Sequence, residues 1–143
     1  MKTEHFDFLK THRACQDGLE WAETQSDLHE LWNNCHRGDW MLWLAKRLQV
    51  DQSKQVLCAA LCAHTVVHLM TDRRSREAVR IAFLYARGKA TDIQLHEAEA
   101  AAAAATAWAG VSAGAARQAN QLRTAQIARK ILTQDVFEKI SKI

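Results

Sequence analysis

A chain of 143 residues, 48% of them hydrophobic, is long enough to close one hydrophobic core and too apolar to be wholly disordered. It holds no proline and five glycines, so no helix is forcibly broken and glycine is the main punctuation, which favours helices over a β-sandwich. The net charge of +3 is too mild for a dedicated nucleic-acid binder, whose expected footprint is a strongly basic patch.

The apolar periodicity predicts a first helix from about Phe8 to Glu23, with Leu9, Leu19, Trp21 and Ala22 inward and Asp17, Glu20 and Glu23 facing water; Gly18 weakens it locally. Ser26 is the expected cap of a short second helix, with Asp27 near its positive end and Leu28, Leu31 and Trp32 as its apolar stripe. A third helix starts with Asp39 as its expected cap and carries Trp40, Met41, Trp43, Leu44 and Leu48, the tryptophans implying one heavily buried face. The segment from Val56 to Met70 is apolar around most of its circumference, the pattern of a helix in the middle of a bundle.

Ser75 is the expected cap of a fifth helix through Ala78, Val79, Ala82, Phe83 and Ala86, which Gly88 closes in a left-handed conformation. Thr91 and Gln94 then form a capping box that opens the longest helical stretch. Its alanines favour helix but bury little area each, and Gly110 and Gly114 either admit a close neighbour or divide it. Amphipathic order resumes through Leu122, Ile127, Ile131, Leu132, Val136 and Ile140, with Arg123, Arg129 and Lys130 outward.

Residues 1–10 include Lys2, Glu4, His5, Asp7 and Lys10, unlike the apolar core of a signal peptide, and no stretch is apolar for long enough to cross a bilayer. The expectation is a cytoplasmic protein with no membrane partner. Cys15, Cys35, Cys58 and Cys62 are then reduced thiols acting as small apolar residues rather than a disulfide framework.

Three stretches, Ala14-Cys15-Gln16-Asp17-Gly18-Leu19-Glu20-Trp21-Ala22, Leu31-Trp32 and Cys35-His36-Arg37-Gly38-Asp39-Trp40-Met41-Leu42-Trp43-Leu44, together resemble a family of small helical immunity proteins of polymorphic toxin systems, the immunity-five-like domains. Arg76-Glu77-Ala78, Ala86-Arg87-Gly88-Lys89-Ala90-Thr91 and the alanine-rich helix also look like that family's pattern, so the resemblance covers most of the chain. It implies a helical fold and inhibition of a toxin by binding, and it carries over no catalytic residue.

Cys58, Cys62, His64 and His68 have the residue types of a zinc site. At about 100° of rotation per residue, however, the two histidines fall on the opposite side of a helix from the two cysteines, so one helix cannot aim all four at one ion. No metal and no cofactor are expected. Cys35 and His36 are sequence neighbours, which does not make a nucleophile and base, and no phosphate loop or carboxylate pair stands out. Arg37-Gly38-Asp39 spells a cell-adhesion tripeptide, explained more simply by Asp39 as a helix cap.

Two charged patches remain. Residues 1–51 hold nine acids against six bases and residues 52–143 seven against thirteen. The acidic set, Asp17, Glu20, Glu23, Asp27 and Glu30, is the candidate partner-binding surface and suits a basic nuclease toxin. The alternative is an anion-binding set, Arg73, Arg74, Arg76, Arg80 and Arg87, of which three fall on one helical stripe. A plain solvated face accounts for either.

The predicted architecture is all-α: one domain over residues 1–143, a compact bundle of six to seven helices with an alanine-rich C-terminal helical stretch. Val56 to Met70 is its expected centre, and Trp21, Trp32, Trp40 and Trp43 one end of its core. The predicted function is non-enzymatic: stoichiometric inhibition of a toxin or other effector enzyme, a protein partner. The alternatives are a phosphate- or nucleic-acid-binding accessory protein and an enzyme without a recognised motif.

Overall fold

The most deeply buried run of side chains lies on the last helix: Ala125, Ala128, Leu132, Val136 and Ile140 are all 0–1% exposed. The computed structural model describes the backbone of residues 1–106 and 114–143 and the side chains of 1–101 and 120–143. Among the described residues there are eight α-helices and no strand: α1 (Thr3–Thr11), α2 (Gln16–Ala22), α3 (Leu28–Asn34), α4 (Gly38–Arg47), α5 (Gln52–His64), α6 (Arg73–Ala86), α7 (Asp92–Thr106) and α8 (Gly114–Ile140), with one 3-10 turn at Val67–Leu69. No helix of these residues is long and apolar enough to cross a membrane. The expected break in the alanine-rich stretch near Gly110, and Trp108 beside it, lie outside the described residues.

Helix α8 is the spine. It packs on α3, α4 and α5, while α6 packs on α5 and α7 on α6. The segment from Val56 to Met70 is therefore not the centre, nor one helix. Only Cys58 and Ala60 on it are buried; His64, His68 and Leu69 are exposed, and α5 stops at the β-branched run Thr65-Val66-Val67. Three consecutive β-branched residues lose side-chain freedom in a helix, and the Thr65 hydroxyl bonds back to the Cys62 carbonyl at 2.6 Å.

The expected first helix is two. Arg13 takes a left-handed conformation at φ 61°, and the amides of Arg13 and Ala14 reach back to the carbonyls of Lys10 and Leu9. The Cys15 sulfur then caps α2 by accepting the Gly18 amide hydrogen at 3.4 Å. The break has a packing reason: Leu9 and Ala22 are both buried, yet on one continuous helix they would lie about 140° apart. Splitting the segment also raises the helix count above the six or seven expected. Gln49 closes α4 in the same way at φ 60°, and Gly88 closes α6 at φ 73°, the left-handed glycine the sequence predicts.

The caps fall on acids rather than on the serines beside them. Asp27, not Ser26, caps α3 by accepting the Glu30 amide at 2.9 Å, while Glu30 accepts the Ser26 amide at 3.1 Å. Asp72, not Ser75, caps α6 through the Arg74 amide at 2.8 Å. The capping box of Thr91 and Gln94 forms as predicted, with bonds of 2.8 and 3.1 Å. Asp39 is not the cap of α4; it lies in the first turn, and the helix begins one residue earlier at Gly38. A side chain on Gly38 would meet the Thr124 backbone at 2.7 Å, so glycine lets α4 start against α8.

His5 is a buried polar residue with a structural task. Its Nδ1 accepts the Leu28 amide hydrogen at 3.0 Å, satisfying one of the orphan donors at the start of α3. Burial, aided by Lys2, lowers its pKa below the ordinary 6.5, against the opposing pull of Asp27 and Glu4. The unfolded chain therefore binds the proton more readily, so the stability His5 contributes is complete above 6.5 and is lost as pH falls from there through the folded value. His5→Asn keeps an acceptor near the Leu28 amide without titrating. Urea midpoints measured between about pH 5 and 8 should show a shallower acid decline than for the native chain; parallel curves would show that His5 does not carry this dependence.

Candidate functional site

The buried face of α4 is Met41, Leu44, Ala45 and Leu48, spaced i, i+3, i+4 and i+7. Trp40 and Trp43 lie off that stripe and are only half-buried, as is Trp21 on α2; of the four tryptophans expected in the core, Trp32 alone is wholly inside. The three outer rings border a cleft of about 400 Å³ between α1, α2 and α4. Trp21 and Trp40 stand 6.0 Å apart, and the His36 ring meets both edge-on at 5.6 and 5.9 Å. Leu31, Met41 and Leu44 form the floor.

Arg37 lies along this cleft with its guanidinium 4.2 Å from the Trp40 ring centre and bonded to both Asp39 carboxylate oxygens at 3.1 and 2.6 Å. The Arg37-Gly38-Asp39 tripeptide is thus folded into a helix start, its two charges spent on each other. Cys35 beneath is buried, its thiol pushed up by that burial and donating to the Arg37 carbonyl at 3.4 Å. His36 instead is exposed against the two tryptophans, so neighbouring Cys35 and His36 sit in different surroundings.

The acidic set divides. Asp27 and Glu30 are the capping groups of α3, and the Glu30 amide holds the Asp27 carboxyl below its usual range. Asp17, Glu20 and Glu23 are exposed and make no salt bridge among the described residues; Glu20 accepts only the neutral Gln16 amide at 3.0 Å. They mark the outer side of α2, opposite buried Ala22. Glu20 and Glu23 moreover stand at the negative end of the helix dipole, where an acid is locally unfavourable.

The arginine set is largely occupied. Arg74 pairs with Asp72 at 2.9 Å and, with its own amide, holds that carboxyl down to about 2. Arg80 is locked to Glu77 by two bonds, and Arg76 donates to the Met70 carbonyl at 2.7 Å. Arg73 and Arg87 are exposed without an ion pair among the described residues. The predicted stripe is therefore mostly internal stitching at the start of α6.

Cys58 and Cys62 lie side by side, and the Cys58 thiol is pushed up by its hydrogen bond to Cys62 and by burial. His64 is exposed with its ring edge-on to Phe83, and His68 is exposed as well. Among the described residues no three His, Cys, Asp or Glu side chains converge as a metal site. A second, more polar hollow of about 830 Å³ between α4, α5 and α7 carries Lys46, His96 and Glu99 on its walls.

No known family model, curated protein or solved structure matches the chain. The geometry alone ranks its surfaces. Sequence reasoning found the acidic face of α2 but missed the cleft behind it. The signal was present, since Trp40 and Trp43 are out of phase with the aliphatic stripe of α4.

Proposed function

We propose that this protein works by stoichiometric binding, as an immunity-type inhibitor that occludes a toxin or other effector enzyme, and that it docks through the outer face of α2. One observation supports this surface over the arginine set: Asp17, Glu20 and Glu23 all lack a cationic partner among the described residues, whereas Arg74, Arg76 and Arg80 already have acceptors and only Arg73 and Arg87 are left without an ion pair. Charge left unpaired, and at Glu20 and Glu23 kept where the helix dipole disfavours it, is charge available to a partner. The partner chemistry that fits is a basic protein surface such as that around a phosphate-binding active site. The resemblance of residues 14–22, 31–32 and 35–44 to immunity domains points the same way.

The test is the triple reversal Asp17→Lys, Glu20→Lys and Glu23→Lys. A partner captured from the native host on the wild-type chain is remeasured against this variant by surface plasmon resonance at two salt concentrations. Association should slow by about tenfold or more at low salt and by less at high salt, because exposed charges mainly steer encounter. Circular dichroism should show the helices intact. Arg76→Glu with Arg80→Glu should leave association unchanged. Binding indifferent to the acidic reversal but abolished by the arginine reversal would overturn the proposal.

A further inference from the structure

The cleft between α1, α2 and α4 has the size of a small-molecule site and an uneven charge. Its floor is aliphatic and its walls are the rings of Trp21, Trp40 and Trp43. Three charged residues line it: Arg37, Asp39 and Arg13. The first two neutralise each other, and the Arg37 guanidinium already covers the Trp40 ring at 4.2 Å. Arg13 differs. It sits exposed at the turn between α1 and α2 and makes no salt bridge among the described residues, not even with Asp17 four residues on. The cleft therefore offers flat apolar walls with one uncompensated positive charge. Burial pushes the Cys35 thiol up, so it adds no negative charge to the floor.

We propose that this cleft binds a planar aromatic monocarboxylate, its ring against the tryptophans and its carboxylate on the Arg13 guanidinium. Flat walls select a ring over a flexible chain, since aromatic pairs gain from stacked or edge-on contact beyond the area they bury. One free guanidinium matches one carboxylate, which it can engage through two parallel hydrogen bonds. A cationic ligand is disfavoured by the like charge of Arg13. This site lies on the inner side of α2 and does not rest on the docking role of its outer face.

The probes are 2-naphthoate and its neutral isostere 2-naphthamide, titrated into the full chain and followed by tryptophan fluorescence and isothermal calorimetry. Naphthoate should bind saturably at one site, with naphthamide about tenfold weaker, and added salt should narrow that difference. The decisive variant is Arg13→Gly. Glycine is at ease at the φ of 61° that Arg13 adopts, so this chain should melt no lower than the native one, yet bind naphthoate no better than naphthamide. Undiminished stability with loss of anion preference is a combination that a merely structural Arg13 would not produce. Trp43→Leu should weaken both probes together. Equal affinity for the two probes on the native chain, no saturable binding of either, or a carboxylate preference that survives Arg13→Gly would each overturn the site, and none of them bears on the acidic face of α2.

Discussion

Trp32→Ala should destabilise the chain by about 3–5 kcal/mol, a large part of the total for a domain of this size. The indole is fully buried, and its Nε1 donates to the Thr133 hydroxyl on α8 at 2.8 Å. Truncation leaves both a cavity between α3 and α8 and an unfilled acceptor. Trp43→Ala should cost only about 1–2 kcal/mol, because its ring is half-buried at the cleft and fills no interior space. This contrast departs from the sequence expectation that Trp32 and Trp43 alike lie in the core. Urea unfolding followed by circular dichroism checks it, and equal losses for the two variants would refute the assignment of Trp32 as the anchor.

The tryptophans also show how much of the fold was legible and why the rest was not. That α4 is a helix follows from its periodicity, and so does its buried stripe. Measured around the helix from Met41, the side chains of Leu44, Ala45 and Leu48 fall within about 60° on either side, whereas Trp40 and Trp43 lie about 100° and about 160° away. The expectation of a buried tryptophan face let side-chain size outweigh phase. Large amphipathic rings are readily left half-exposed when smaller aliphatic side chains already fill the contact with a neighbouring helix. The same reasoning explains the end of α5: its apolar character was visible, but burial depends on how many neighbours surround it, which periodicity does not encode.

Boundaries were harder than elements. Asp27 and Asp72 took the caps expected of Ser26 and Ser75, within one to three residues, because neighbouring short polar side chains compete for the same orphan amides. The break at Arg13 had no local signal, since left-handed helix ends usually fall on glycine and an L-residue there costs about 1–2 kcal/mol. It answers a long-range requirement, the burial of Leu9 and Ala22 against one core. For the candidate site, charge sign and exposure at Asp17, Glu20 and Glu23 were readable from spacing. That Asp27 and Glu30 are cap ligands, and that Arg74 and Arg80 are paired with nearby acids, depends on geometry that residue type alone does not fix.

Arg129 is the clearest case of phase overlooked, and it carries the second large effect. Charge suggested that it faces water, but it lies only about 40° around the helix from Ala125, inside the arc of about 120° spanned by Ala128, Leu132, Val136 and Ile140. Its Nη1 donates to the Cys35 carbonyl at 2.7 Å and the Trp32 carbonyl at 3.2 Å, and approaches the Met41 sulfur at 3.9 Å. One guanidinium thus ties the C-terminal end of α3 to α8 where the helix dipole is negative and the last carbonyls lack intrahelical partners. Replacing a buried ion pair by apolar residues is often harmless, but here the acceptors are backbone carbonyls that no substitution removes. Arg129→Met, which preserves much of the volume, should therefore cost about 2–4 kcal/mol. Arg129→Lys should recover part of that loss, since its ammonium can reach one carbonyl but cannot present the same fork. Native-state hydrogen exchange gives the more local reading: amides of α3 should lose protection in the Met variant before those of α6, because α3 would be loosened from α8 while the α6–α7 pair remains intact. Arg129→Met within about 0.5 kcal/mol of the native chain, with α3 still protected, would mean that packing alone holds this helix and that the guanidinium is incidental to it.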